Sequence, residues 1–163
     1  MLNLLFVLFA VGVTAPPAEK VDSAIARAAD VICGETGSDE VMATHVAYVI
    51  WNRMNLLPGA RADKILHVLN EHSAFAGSCK KHGRTPTDWV LLLARTLADG
   101  DPNKLVVRSW MTDRVLRFTD RKEPCRKHHG KRKKSVCRNT VDRWVLQGHK
   151  LVGRIGNMNF YEE

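Results

Sequence analysis

One segment, Asp39 to Met54, carries apolar side chains around most of a helix. Its sequence is DEVMATHVAYVIWNRM, and the two acids at its start interact favourably with the positive end of a helix dipole. Its large apolar residues lie on several faces: Val41, Met42, Val46, Val49, Ile50 and Trp51. A helix that is apolar on most sides is buried. We therefore predict a central buried helix, with Ser38 as its N-cap.

Three more helices are predicted from apolar residues that recur at helical spacing. They cover Ser23 to Cys33, Ala62 to Leu69 and Thr87 to Ala98. Asp22 is the predicted N-cap of the first. Thr85 and Pro86 are predicted to begin the last, and Gly100 follows its end.

The pattern weakens after Asp101. KLVVRSWM (104–111) and RVLRF (114–118) are predicted as short strands. Residues 139–146 are predicted as a short helix, and the closing GRIGNMNFYEE as loop or strand. A chain of 163 residues suits one domain. The predicted fold class is mostly α, of the α+β type, in a single domain with short irregular or β segments in its second half.

The first 15 residues have the features of an export leader. Leu4 to Val13 is an apolar run, and Val13-Thr14-Ala15 fits a cleavage site. The run is too short for a membrane-spanning helix. The alternative is a weak N-terminal anchor. We expect residues 16–163 to form the domain and the protein to be exported to the periplasm, the cell wall or the extracellular space.

Cysteine content agrees with export. The four cysteines are Cys33, Cys79, Cys125 and Cys137, an even number that allows two disulfides in three pairings. We prefer Cys33–Cys79 together with Cys125–Cys137, and the alternative is four buried thiols. His128 and His129 give the last pair a zinc-like composition, but the spacing matches no strong zinc pattern. No metal or cofactor is predicted.

The positive charge is concentrated in one segment. Residues 121–138 hold nine Lys or Arg and one Glu, which accounts for the whole net charge of +8. Such a block is usually a solvated loop. The chain has no recognisable fold signature for nucleic-acid binding and is expected to be exported, so nucleic acid is not the expected partner. We expect acidic groups of the cell envelope instead, bound through a run of four residues: Lys131, Arg132, Lys133 and Lys134. The protein is expected to be a monomer.

An acid stands where the first helical stripe ends. Glu35 lies three residues beyond Ile32 and seven beyond Ala28, so we expect it on the core-facing side and partly buried. Burial and the negative end of a helix both raise a carboxyl pKa, as a general acid requires. Gly34 and Gly37 are expected to turn the backbone and leave room for a bulky substrate. A solvated acid in a helix–helix turn is the alternative.

Four segments in order resemble the spore-cortex-lytic (SleB-type) cell wall hydrolases. They are GETGSDEVMATHVAYVIWNR (34–53), NEHSAF (70–75), ARTLADGD (94–101) and RIGNMNFYE (154–162). The first closes on Asn52-Arg53, as the family's signature does. Three departures are the one-residue shorter spacing from Glu35 to Asn52, Met158 in place of a histidine, and the extra basic segment. The resemblance implies a lysozyme-like fold and cleavage of the peptidoglycan glycan strand, with Glu35 as the catalytic acid.

The reaction depends on a second carboxylate. Hydrolysing glycosidases usually use two, whereas a lytic transglycosylase can use one acid while the sugar's own 6-hydroxyl closes an anhydro ring. Asp39, Glu40 and Glu71 are candidate partners, but Asp39 and Glu40 are better explained as helix-start acids. We therefore favour a transglycosylase that cuts between N-acetylmuramic acid and N-acetylglucosamine, of phage or bacterial origin. The alternative is a secreted, disulfide-stapled basic protein that binds anionic surfaces without catalysis.

Four further residues are candidates for contact with the sugar. Asn157, Phe160 and Tyr161 suit a sugar groove, with core or terminal packing as the alternative. Ser73 is placed near Glu35 as a hydrogen-bond donor, or else caps a turn. His45 lies in the predicted central helix and is interpreted as a core histidine whose hydrogen bonds are satisfied.

Overall fold

Four α-helices and a small sheet form the part of the chain that the computed structural model describes, residues 17–71, 75, 77–120 and 148–163. The helices are α1 (Ala18–Thr36), α2 (Glu40–Asn55), α3 (Arg61–Asn70) and α4 (Asp88–Asp99). Two short 3₁₀ helices cover Lys80–His82 and Pro102–Lys104. The strands are β1 (Val115–Asp120), β2 (Lys150–Ile155) and β3 (Met158–Glu162). The mostly α, α+β single-domain class is confirmed.

Helix α2 is the centre of the fold, as predicted. It contacts α1, α3, α4 and strand β1, and five of its six large apolar residues are buried. Val41 is the exception, at 51% exposure, because it lies in the first turn on the outer side. Asp39, not Ser38, is the N-cap, and its side chain accepts a hydrogen bond from the Met42 amide at 2.9 Å.

Two other helix starts differ from the prediction. Helix α1 begins at Ala18 after Pro17, so Asp22 lies inside the helix and does not cap it. A proline fixes φ near the helical value and favours such a start. Helix α4 is capped by Thr87, whose hydroxyl accepts from the Val90 amide, and not by Thr85. Gly100 ends α4 in the left-handed conformation, as predicted.

The sheet is antiparallel in the order β1-β3-β2. RVLRF lies at β1 and the closing segment forms the β2–β3 hairpin, so both predictions are confirmed. The prediction of a strand in KLVVRSWM is wrong. Within that segment, the side chains of Leu105 and Met111 are buried, whereas Val106 is 81% exposed. The segment therefore crosses the surface of the core as irregular backbone. None of the helices in the described residues is both long and apolar enough to span a bilayer.

Candidate functional site

Glu35 lies in the last turn of α1 and is half-buried. Its Oε1 accepts a hydrogen bond from the backbone amide of Gly77, at 2.6 Å. These two residues are 42 positions apart in the chain, so the contact is tertiary. The alternative of a solvated acid in a turn does not hold, because Glu35 is held by another segment of the protein.

Two glycines allow this contact. A Cβ built on Gly34 would lie 2.1 Å from the amide nitrogen of Ser78 and 2.3 Å from the carbonyl carbon of Gly77. A Cβ on Gly77 would lie 2.5 Å from the Glu35 nitrogen and 2.9 Å from its carboxyl carbon. The two backbones therefore touch where only glycine fits. The space at Gly34 is filled by the chain itself, so the expectation that it leaves room for substrate is wrong, whereas Gly37 turns the backbone at φ 66° as expected.

Asp30 holds the same segment one turn earlier on α1. Its carboxylate accepts hydrogen bonds from the Ser78 hydroxyl at 2.9 Å and from the Lys80 amide at 3.0 Å. Its backbone carbonyl accepts from the Cys79 amide at 3.0 Å. Burial acts to raise the pKa of Asp30, but the bonds from Lys80 and Ser78 and the charge of Arg27 outweigh it and lower the pKa. Asp30 is therefore an ionised clamp.

A disulfide between Cys33 and Cys79 closes the clamp covalently. Cys33 precedes Glu35 by two residues and Cys79 follows Gly77 by two, so the bond flanks the contact between acid and amide. The preferred pairing is confirmed for this bridge. The second predicted bridge, Cys125–Cys137, lies outside the described residues.

The three candidate partner carboxylates all have structural roles. Asp39 caps α2, and Glu40 is exposed in the first turn of that helix. Glu71 forms an ion pair with Arg53 at 3.3 Å and lies 3.8 Å from the His67 ring.

The Asn-Arg pair at the end of α2 anchors two neighbouring segments. The Asn52 side-chain amide is buried and donates to the carbonyls of Thr112 and Val115, at 2.9 and 3.1 Å. The Arg53 guanidinium pairs with Glu71 and lies 5.6 Å from the centre of the Phe75 ring. Arg53 therefore supports the start of the segment that leads to Gly77, and Asn52 ties α2 to the start of β1.

The residues predicted to contact the sugar differ in their exposure to solvent. Asn157 is exposed in the β2–β3 turn. Phe160 and Tyr161 have no exposed surface, which favours core packing over a place in an open groove. His45 is buried, its Nδ1 lies 2.7 Å from the Val41 carbonyl, and its Nε2 accepts from the Arg108 amide at 3.2 Å. Burial lowers the pKa of His45, so the ring is a neutral, satisfied core histidine, as predicted.

Several predictions fall on residues outside the described ranges. They concern the leader (1–15), Ser73, the basic segment with Lys131–Lys134, the short helix at residues 139–146, and the zinc alternative at Cys125, His128, His129 and Cys137. Within the described ranges, no group of three or more His, Cys, Asp or Glu side chains could hold a metal ion.

The sequence reasoning missed Asp30, Gly77 and Ser78. The preferred disulfide pairing could have pointed to these residues. Pairing Cys33 with Cys79 brings Asp30, one helical turn before Cys33, next to the residues on either side of Cys79. A polar residue on the face of α1 that carries Cys33 could therefore be expected to hydrogen-bond with the residues around Cys79.

Comparison of the chain with protein-family models, with curated proteins and with solved structures finds no match in any of the three.

Proposed function

We propose that this protein is an exported, lysozyme-like enzyme that cleaves the glycan strand of peptidoglycan with Glu35 as the general acid. The observation that carries the proposal is the fixed carboxyl group. Glu35 is half-buried at the end of a core helix, receives the Gly77 amide, and is flanked by the Cys33–Cys79 disulfide and by the Asp30 clamp. A general acid has to be held in a defined orientation before substrate binds.

The amide contact also assigns roles to the two carboxyl oxygens. A protonated carboxyl group carries its proton on one oxygen and accepts hydrogen bonds on the other. The Gly77 amide donates to Oε1, so the proposed mechanism assigns the transferable proton to Oε2. Oε2 then gives this proton to the glycosidic oxygen as the bond to the leaving sugar breaks.

The second half of the reaction follows a lytic transglycosylase route. Asp39, Glu40 and Glu71 all serve helix caps, helix starts or ion pairs, which supports a mechanism with one catalytic carboxylate. The ionised Glu35 then takes the proton from the 6-hydroxyl of the N-acetylmuramic acid, and that oxygen closes the anhydro ring. The general acid becomes the general base, so the proton count balances over the cycle.

The test is zymography on purified cell walls with Glu35→Gln and a matched control. Gln keeps the size of the side chain and can still accept the Gly77 amide, but it has no acidic proton. Loss of a positioned acid costs on the order of 10²–10⁴ in rate. Glu19→Gln removes an exposed carboxylate from the first turn of the same helix, about 24 Å away along its axis, and should leave activity unchanged.

Two outcomes decide the proposal. Cleared walls with the wild type and Glu19→Gln, but not with Glu35→Gln, support it. If the wild type binds walls and releases no soluble fragments, the alternative of a basic binding protein without catalysis replaces it. Full activity of Glu35→Gln would remove Glu35 from the mechanism.

A further inference from the structure

Four basic side chains lie in one short turn that leaves the candidate site. Lys80, Lys81 and His82 form a 3₁₀ helix, and Arg84 follows Gly83. All four are exposed, and we call this set the basic turn. None of the ion pairs among the described residues involves Lys80, Lys81 or Arg84. Their side chains are exposed to solvent, and the charge of Lys80 also acts on the nearby Asp30 carboxylate.

The backbone of the basic turn is fixed. The amides of His82 and Arg84 both donate to the Cys79 carbonyl at 3.0 Å, and Gly83 donates to Lys80 at 3.1 Å. Gly83 has φ 63°, which suits glycine. Cys79 is itself joined to α1 by the disulfide. Charges on a backbone that is already ordered lose less conformational entropy when they bind a ligand.

The basic turn lies beside Glu35. Gly77, three residues before Lys80, donates to the Glu35 carboxyl group. At the other end of the turn, a Cβ built on Gly37 would lie 3.0 Å from Nη1 of Arg84. The Arg84 guanidinium group therefore lies over the residue that ends α1, two positions beyond Glu35. The basic turn and Glu35 are therefore neighbours in the fold.

We propose that the basic turn binds peptide carboxylates on the glycan strand that Glu35 cleaves. This inference rests on the proposed function. In peptidoglycan, the N-acetylmuramic acid next to the cleaved bond carries a peptide with free carboxylates. Arg84 can hold one carboxylate through two parallel hydrogen bonds, while Lys80 and Lys81 act as point charges on flexible stems. This arrangement suits a substrate whose peptide is flexible and whose sugar backbone is fixed by the acid.

The experiment measures binding in a protein that cannot digest the ligand. Glu35→Gln is the background, and Lys80→Gln, Lys81→Gln and Arg84→Gln are combined in it. The control combines Lys64→Gln, Arg95→Gln and Arg108→Gln, which remove the same charge at residues outside the ion pairs of the described region. Each protein is sedimented with purified walls, with walls whose peptide carboxylates have been converted to amides, and with vesicles of the anionic lipid phosphatidylglycerol.

We expect the basic-turn variant to bind untreated walls about 5- to 100-fold more weakly at low salt, because each exposed charge contact contributes modestly. The difference should shrink in high salt, where screening is strong. Amidation should weaken binding of the background protein by a similar factor and leave the basic-turn variant unchanged. The control should follow the background protein.

Three results would overturn the proposal. One is equal loss in the basic-turn variant and the control, which indicates net charge alone. Another is a basic-turn variant that is as sensitive to amidation as the background. The third is loss of binding to anionic lipid vesicles with unchanged binding to walls, which assigns the turn to a membrane surface. Since the readout is binding, these results stand whether or not the wild type cleaves walls in the zymogram.

Discussion

Replacement of Gly34 by alanine should displace the amide that holds the candidate acid. The added Cβ would lie 2.1 Å from the Ser78 nitrogen and 2.3 Å from the Gly77 carbonyl carbon. Both are backbone atoms, and the disulfide and the Asp30 hydrogen bonds hold the segment that carries them. The segment cannot rotate away as a side chain could, so it must shift outward and lengthen the 2.6 Å contact between Gly77 and Glu35.

The cost of Gly34→Ala has three parts. Overpacking of a close contact costs about 1–3 kcal/mol, and loss of the hydrogen bond from Gly77 to the protonated Glu35 carboxyl group costs about 0.5–1.5 kcal/mol. Alanine returns up to about 1 kcal/mol as the better helix former. The free energy of unfolding should fall by about 0.5–4.5 kcal/mol, which for a chain of this size lowers the melting temperature by roughly 1–18 °C. A displacement near 1 Å at the acid can cost on the order of 10² in rate.

The measurement combines thermal unfolding with wall digestion at a temperature where the variant is folded. Gly59→Ala is the control, since a Cβ there meets nothing within 4 Å and the residue has φ 100°. That variant should lose about 1–2 kcal/mol from backbone strain and keep its activity. If Gly34→Ala unfolds at the wild-type temperature and digests walls normally, then the two backbones do not touch and the acid is not held by Gly77.

Three further predictions concern the clamp and the product. Cys33→Ser with Cys79→Ser opens a link between residues 46 positions apart, so unfolding should become about 4 kcal/mol easier; chemical denaturation with and without reductant checks this, and an unchanged midpoint contradicts it. The hydrogen bonds to Asp30 lower its pKa, so its stabilisation should be complete above about pH 4 and be lost as the pH falls through that lowered value. In Asp30→Asn, the free energy of unfolding should depend less on pH in this acidic range. Urea unfolding at a series of pH values measures the difference. Mass spectra of released muropeptides should show ends one water lighter than hydrolytic ones, and only reducible ends would send the search back to a second carboxylate.

The sequence predicted those parts of the fold that depend on neighbouring residues. Helical periodicity located all four α-helices of the described residues, and the breadth of the apolar surface of α2 predicted its central position. Helix starts were less accurate, because Thr85 and Thr87 offer equivalent caps and a proline before Ala18 outweighed Asp22. The strand predicted in KLVVRSWM failed, because its apolar residues cover the core one at a time and do not pair with a neighbouring strand.

The candidate site was predictable only in part. Glu35 stood out because it ends an apolar stripe, and Cys33–Cys79 was a preferred pairing. The Gly77 amide and the Asp30 bonds cross 42 to 50 positions of sequence, and no local pattern specifies such contacts. Gly34 shows the same limit, since a glycine beside an acid can make room for a ligand or for another backbone, and only the packing distinguishes them.

Three devices act on one contact, and they act on different states of the chain. The disulfide stabilises mainly by restricting the unfolded chain, whereas Asp30 and the glycine pair act through geometry in the folded state. Removal of the disulfide should therefore lower stability but leave the geometry at Glu35 to the Asp30 bonds, so that each folded molecule keeps most of its activity. Gly34→Ala should lower both quantities. If the variant without the disulfide remains folded but loses its activity, then the covalent bond itself positions the acid.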